Sequence, residues 1–254
     1  MAASIPAVEE TVLCDVVGDV GVITLNRPAA HNAITIELSR SLEAALRELE
    51  RRTAVIVIRG AGENFCVGGD FKEMERLRAE GTEATRELFT SFHRACATIA
   101  ELSVPVIVAV HGFAVAGGFE LALAADIVLV SETAKLADIH SNYGMVPGGG
   151  STQRLPRLVG RQRALGLILS GERISGPEAV EWGLAYRAFP AETFAADVET
   201  FANGLAAKNR QALAHSKRLI RAGLELPLSE GIELELATVL EHLAGEAVYS
   251  KGTT

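Results

Sequence analysis

The sequence predicts an α/β fold followed by a helical C-terminal region, on three observations. Short, almost wholly apolar runs such as Ala54 to Arg59 and Val104 to Val110 suit strands buried on both faces. These runs alternate with loops and stretches of helical apolar spacing, the order expected of parallel or mixed sheets. From about Pro156 onward the pattern becomes almost entirely helical.

Taken in order, Thr11 to Val17 and Val20 to Asn26 are rich in Val, Ile and Thr and flank Gly18-Asp19, a hairpin-type turn. Leu38, Leu42, Ala45 and Leu46 recur on one face of a helix predicted over Ile34 to Arg51. After the strand at Ala54 to Arg59, a helix starts near Asp70 and a long amphipathic one covers Thr82 to Glu101. Val104 to Val110 and Asp126 to Val130 are two further strands with a glycine-led helix between them. Five helical patterns complete the chain: Arg161 to Leu169, Gly176 to Trp182, Ala191 to Ala207, Gln211 to Ala222 and Leu228 to His242. This places a core at residues 1–190 and a helical region at 191–254.

The 254 residues suffice for one large domain, and the net charge of −8 excludes a global field that attracts nucleic acid or anionic lipid. Met1 to Glu10 has no basic segment leading into an apolar one, and the most apolar stretch, Pro105 to Val115, is too short to span a bilayer. Cys14, Cys66 and Cys96 are odd in number and lack metal-ligand spacing, which suits free thiols in a reducing compartment. The expectation is a cytoplasmic protein without a metal centre.

Three segments carry candidate chemistry. In Asn64 to Met74, a strand leads through Gly68-Gly69 to Asp70 at a helix start, where unpaired N–H groups can bind an oxyanion or Asp70 can simply cap the helix. In Ala114 to Ala122, Gly117-Gly118 open an apolar helix with Glu120 in its first turn. That carboxylate is either a favourable first-turn charge or a buried functional group. In Asp138 to Leu155, His140 lies in a polar, turn-rich stretch before Gly148-Gly149-Gly150, and its role is either structural or catalytic. Two glycine-led helix starts, each after a buried strand, can aim two backbone donors at one carbonyl oxygen.

These segments, with Gly21 to Pro28, Asn32-Ala33 and Gly171 to Ile174, resemble the crotonase (enoyl-CoA hydratase/isomerase) superfamily over nearly the whole chain. The resemblance implies a spiral of ββα units, a C-terminal helical trimerisation region, and assembly as a homotrimer or a dimer of trimers. It implies an acyl-CoA thioester as substrate, with coenzyme A entering only as part of it. Backbone N–H groups of Gly69 and Gly117 are then the oxyanion donors, and Ala29, His31 and Val67 line the coenzyme A. Glu120 matches the first of two hydratase glutamates, whereas His140 stands where the second is expected.

A Glu120–His140 pair is compatible with hydration of an enoyl thioester, with hydrolytic cleavage of a β-dicarbonyl carbon–carbon bond, or with a malonyl-type decarboxylation. Related carbon–carbon hydrolases also carry a histidine here, but with an aspartate where this chain has Gly149, so their orienting partner is expected to be missing. A non-catalytic acyl-CoA-binding role is the remaining alternative, disfavoured by Glu120 beside both glycines. Arg154, Arg157, Arg161 and Arg163 are either a solvated helix face or a contact for coenzyme A phosphates. Residues from Phe71 to Phe92 are expected to form part of the acyl pocket. Leu219, Ile220, Leu224, Ile232, Leu234 and Leu240 suit either a layer covering the core or a subunit interface, and the resemblance implies the interface. The family's phenylalanine-rich basic tail is not recognisable in Tyr249 to Thr254.

Overall fold

The computed structural model describes residues 10–245, so residues 1–9 and the Tyr249 to Thr254 segment lie outside it. The first hairpin pairs β1 (Val12–Val17) antiparallel with β2 (Val20–Leu25). Parallel strands β3 (Val55–Gly60), β4 (Val106–Val110), β6 (Ile127–Ser131) and β9 (Arg187–Phe189) extend it to a six-stranded sheet of order β1-β2-β3-β4-β6-β9. A smaller sheet holds β5 (Phe113–Val115), β7 (Lys135–Ala137) and β8 (Ile174–Ser175) in the order β5-β7-β8.

Burial on both faces explains the apolar runs of the central strands. Because side chains alternate along a strand, Ile56 and Ile58 face one core while Val55 and Val57 face another. The first core is closed by helix α1 (Ile36–Glu50), through Leu38, Leu42 and Leu46, and by α3 (Thr82–Glu101), through Phe92, Ala95 and Ile99. On the opposite face lies α7 (Phe194–Ala206), which packs Phe194, Val198 and Ala202 against Val55, Val57, Ile107 and Leu129. Burying each such Val, Leu, Ile or Phe side chain contributes roughly 1.5–3 kcal/mol before entropy is counted.

Helix α1 begins at Ile36 rather than Ile34, because the Thr35 hydroxyl accepts the Leu38 N–H at 3.0 Å and caps it. Helix α2 (Phe71–Glu80) is capped by Asp70, whose Oδ1 accepts the N–H groups of Lys72 and Glu73. Helix α4 (Gly117–Ala124) is buried along all eight residues.

Helix α5 (Ser151–Ser170) starts well before the expected Arg161 and breaks at Gly160, where φ is 79°. The region after Pro156 is also not wholly helical, since it holds β8 and β9 besides α6 (Gly176–Glu181). Strands of two or three residues are too short to show an alternation, which hides β5 and β7 as well.

The last helices, α8 (Arg210–Gly223) and α9 (Leu228–Ala244), pack on each other. Lys217 ties α8 to the core, donating to the carbonyls of Ile99 and Val104 and pairing with Asp126 at 2.7 Å. Among the described residues no helix is long and apolar enough to cross a membrane.

Candidate active site

Successive turns of the spiral stack their loops. Cys66 donates to the Phe113 carbonyl and accepts the N–H of Val115, so the loop after β3 lies against β5. The first loop joins this stack when Ile34 donates to the Gly68 carbonyl and accepts the N–H of Asp70. Asn32 fixes the arrangement. It is fully buried, its amide donates to the carbonyls of Ala61, Asn64 and Phe65 at 2.8–3.1 Å, and its Oδ1 accepts the Arg27 N–H. Arg27 then reaches the Ala33 carbonyl and Asp70. Burial pushes the Asp70 carboxyl upward, but the Arg27 guanidinium and the helix N–H groups outweigh it and hold the group below its usual range.

The stacking brings Gly69 and Gly117 together at one cavity. A Cβ on Gly68 would sit 2.7 Å from the Ala116 Cβ and 3.1 Å from the Gly117 nitrogen, so only glycine lets these loops meet. Gly69 N–H has no backbone acceptor among the described residues, while its neighbours Gly68 and Asp70 are engaged through Ile34. Gly117 is the first residue of α4, so its N–H has no intrahelical acceptor. Ala116 just before it is held at φ 49° and ψ −120°, a conformation that costs about 1–3 kcal/mol. Hydrogen bonds from its N–H to Ala137 and to its carbonyl from Glu120 hold it there. Both glycine donors thus lie on the wall of one cavity, with the positive end of a buried helix behind Gly117.

The cavity encloses about 330 Å³. Phe71, Met74, Leu88, Phe89 and Phe92 form an apolar wall, as expected of the Phe71 to Phe92 stretch. His31 and Val67 also line it, whereas Ala29, in the exposed turn Pro28–Ala30, does not. Glu120 and His140 complete the wall.

Glu120 is almost fully buried; its Oε1 accepts the N–H groups of Gly149 at 2.7 Å and Ser151 at 3.1 Å. Burial lifts its carboxyl above the usual carboxylate range despite these bonds and the nearby imidazole. Its Oε2 lies 3.9 Å from His140 Nε2. On the other side of the ring, His140 Nδ1 lies 2.6 Å from Asp138 Oδ1. Burial works against the imidazolium, yet the Asp138 carboxylate, helped by Glu120, raises the His140 pKa above its ordinary value. Asp138 is itself fully buried, and the bonds from His140 and Ser151 outweigh that burial and keep it below the usual range.

The aspartate of the related carbon–carbon hydrolases is absent, since position 149 is Gly149, yet His140 has an orienting carboxylate. Its partner comes from Asp138, two residues upstream, and not from position 149. A Cβ on Gly149 would fall 2.5 Å from Glu120 Oε2 and 2.4 Å from Phe92, so no larger side chain fits there without displacing Glu120. Arg157, Arg161 and Arg163 are exposed on α5, as a solvated helix face requires, while Arg154 is half-buried. Arg154 bonds the Gly149 carbonyl, Arg157 the Gln153 carbonyl, and Arg163 stacks on Trp182 at 5.0 Å. The sequence places His140 among polar groups able to hold its ring without singling out Asp138, and it assigns no role in this geometry to Asn32 or Ser151.

Residues 16–254 match the profile of the enoyl-CoA hydratase/isomerase family. The chain belongs to the enoyl-CoA hydratase/isomerase family. A mitochondrial enoyl-CoA hydratase of Pongo abelii is 37% identical over 218 residues, covering 85% of this chain and 73% of that relative. The crystal structure of an enoyl-CoA hydratase from Bacillus anthracis superposes with a TM-score of 0.88 at 31% identity, covering 93% of this chain and 92% of that one. A Thermobifida fusca protein solved in complex with acetoacetyl-CoA superposes with a TM-score of 0.85 at 28% identity, covering 92% and 95% of the two chains. The architecture, from the ββα spiral to the C-terminal helices, is that of the crotonase-fold members of this family.

Proposed function

We propose that the protein is an enoyl-CoA hydratase, adding water across the α,β double bond of a 2-enoyl-CoA thioester. One observation carries this reading: Glu120 Oε2 and His140 Nε2 face each other across 3.9 Å on the wall that also holds Gly69 and Gly117. That gap is too long for a direct hydrogen bond and suits a water held by both groups. The hydratase names of the relatives, and the acetoacetyl-CoA bound by the Thermobifida fusca protein, support an acyl-CoA substrate.

In this mechanism the thioester oxygen accepts the N–H groups of Gly69 and Gly117, each worth roughly 10²–10³ in rate at such a site. Glu120 takes a proton from the water while the water oxygen bonds to the β carbon. The π electrons move toward the thioester as an enolate, and the His140 imidazolium gives its proton to the α carbon. Transfer of the proton from Glu120 to His140 restores the starting state. General acid–base catalysis of this kind contributes roughly 10²–10⁴. Coenzyme A takes part only as a portion of the substrate.

The Asp138–His140 hydrogen bond favours a second reading, because an imidazole oriented by a carboxylate also suits a base for water attack on a β-carbonyl. Loss of the enoyl absorbance of crotonyl-CoA decides between them. Hydration by the wild type, abolished in Glu120→Gln and His140→Ala, is the expected result. Binding of crotonyl-CoA without hydration, together with cleavage of a β-dicarbonyl thioester, would overturn the hydratase reading.

The same reading includes self-association as a homotrimer or a dimer of trimers. Supporting it, Ile220, Leu224, Leu228, Ile232, Leu236 and Leu240 on α8, α9 and the turn between them are exposed, an apolar surface larger than isolated leucines would make.

A further inference from the structure

Asp138 and Ser151 lie behind the residues that line the cavity, and their hydrogen bonds join the two proton-handling groups. We propose that Asp138 is a positioning residue that fixes the tautomer and orientation of His140, and that Ser151 is the strut locking this pair to Glu120. The proposal deepens the hydratase reading and rests on it for the identity of the reaction.

The geometry forms a closed circuit. Glu120 Oε1 accepts the Ser151 N–H, and the Ser151 hydroxyl donates to Asp138 Oδ2. Asp138 Oδ1 accepts from His140 Nδ1 and, at 3.3 Å, from the His140 backbone N–H. The circuit closes at the 3.9 Å gap between His140 Nε2 and Glu120 Oε2. Its members come from separate parts of the fold: Glu120 from α4, Asp138 from the end of β7, His140 from the turn His140–Tyr143 and Ser151 from the start of α5. Asp138 and Ser151 are fully buried, and each Asp138 oxygen has a donor, so the ionised carboxylate is satisfied where it stands.

The chemical consequence lies in the imidazole. A carboxylate on Nδ1 keeps the proton there and leaves Nε2 as the nitrogen that gains and loses a proton toward the cavity. A residue that merely capped the His140–Tyr143 turn would need the backbone contact alone. Here the ring nitrogen makes the shorter bond, and the second oxygen is held by Ser151. Other charged and titratable groups near His140 are Glu120 from α4, Arg154 from α5 on the Gly149 carbonyl, and the cavity-lining His31, Tyr143 and Arg173. Of these, only Glu120 comes within ion-pair distance of the ring.

Asp138→Asn keeps the size and one acceptor oxygen, which can face His140 Nδ1 while its amide NH2 faces the Ser151 hydroxyl oxygen, and removes the charge. The test follows the His140 imidazole by NMR, its signal identified among the six histidines as the one lost in His140→Gln. In Asp138→Asn the His140 titration midpoint should fall by about 1–3 pH units, the usual effect of removing an adjacent opposite charge. The high-pH limb of kcat for crotonyl-CoA should move in the same direction, with KM unchanged.

Ser151→Ala should lower kcat with the His140 midpoint staying near the wild-type value, and the double variant should be no slower than Asp138→Asn alone, because one circuit is broken either way. In the wild type, nitrogen shifts should show His140 protonated at Nδ1 throughout, a measurement that needs no variant to fold. An unmoved midpoint in Asp138→Asn, a bare Nδ1 in the wild type, or additive losses in the double variant would overturn the proposal. Failure to hydrate crotonyl-CoA would sink the hydratase reading alone, since the NMR titration reads Asp138 directly.

Discussion

Glu120→Gln should make the protein catalytically poor and more stable at once. The buried carboxyl is lifted above its ordinary pKa, so ionising it costs the folded state more than the unfolded one. The sign follows: below the unfolded carboxylate pKa of about 4.3 both states hold the proton and the penalty is absent. It grows as pH rises from there to the folded-state pKa, and stays constant above. Each unit of elevation costs the fold about 1.4 kcal/mol, or about 3–6 °C in Tm for a domain of this size.

Glutamine keeps an oxygen for the Gly149 and Ser151 N–H groups, 2.7 and 3.1 Å from Glu120 Oε1, and removes the charge. Thermal denaturation of both proteins from pH 4 to pH 8 should therefore show the variant gaining on the wild type as pH rises. Over the same range, its kcat on crotonyl-CoA should fall by about 10²–10⁴. A Tm difference independent of pH, or a variant less stable at pH 8 than at pH 4 relative to wild type, would refute the argument that burial dominates this carboxyl.

Gly149→Ala should lose most of its activity with only about 1–3 kcal/mol of stability, because the new methyl displaces Glu120 and Phe92 and leaves the strands untouched; kinetics beside urea denaturation separate the two effects. Asn32→Ala removes four hydrogen bonds in the loop stack, and at about 0.5–1.5 kcal/mol each it should cost about 2–6 kcal/mol. The same change should weaken acyl-CoA binding measured by calorimetry, since the Gly69 loop loses its clamp. Leu228→Glu with Leu236→Glu should convert an assembly of three or six copies into smaller species in light scattering, while circular dichroism stays unchanged, if the exposed faces of α8 and α9 are contact surfaces.

The site was legible in proportion to how local its signals were. Gly68-Gly69 and Gly117-Gly118 each follow a strand and open a helix, a pattern contained within about ten residues, and Glu120 stands out because an apolar helix follows it. His140 could be named but its state could not. Its neighbours in sequence include Asp138, Ser141 and Asn142, and nothing local says which of them meets the ring. Ser151 looked like one more residue after a glycine run, yet its N–H and hydroxyl reach two different carboxylates.

Elements whose physics is short-ranged are written in the chain itself. The two-sided apolar strands β3, β4 and β6, the amphipathic helices α1 and α3, and the glycine-led helix starts follow from side-chain periodicity and backbone freedom. Packing between distant segments sets which loops stack, where the short strands β5, β7, β8 and β9 pair, and how Asp138, Ser151 and Glu120 share donors across up to 31 residues of chain. Those outcomes depend on contacts between segments, where burial makes each polar group find a partner, and no single segment carries that information.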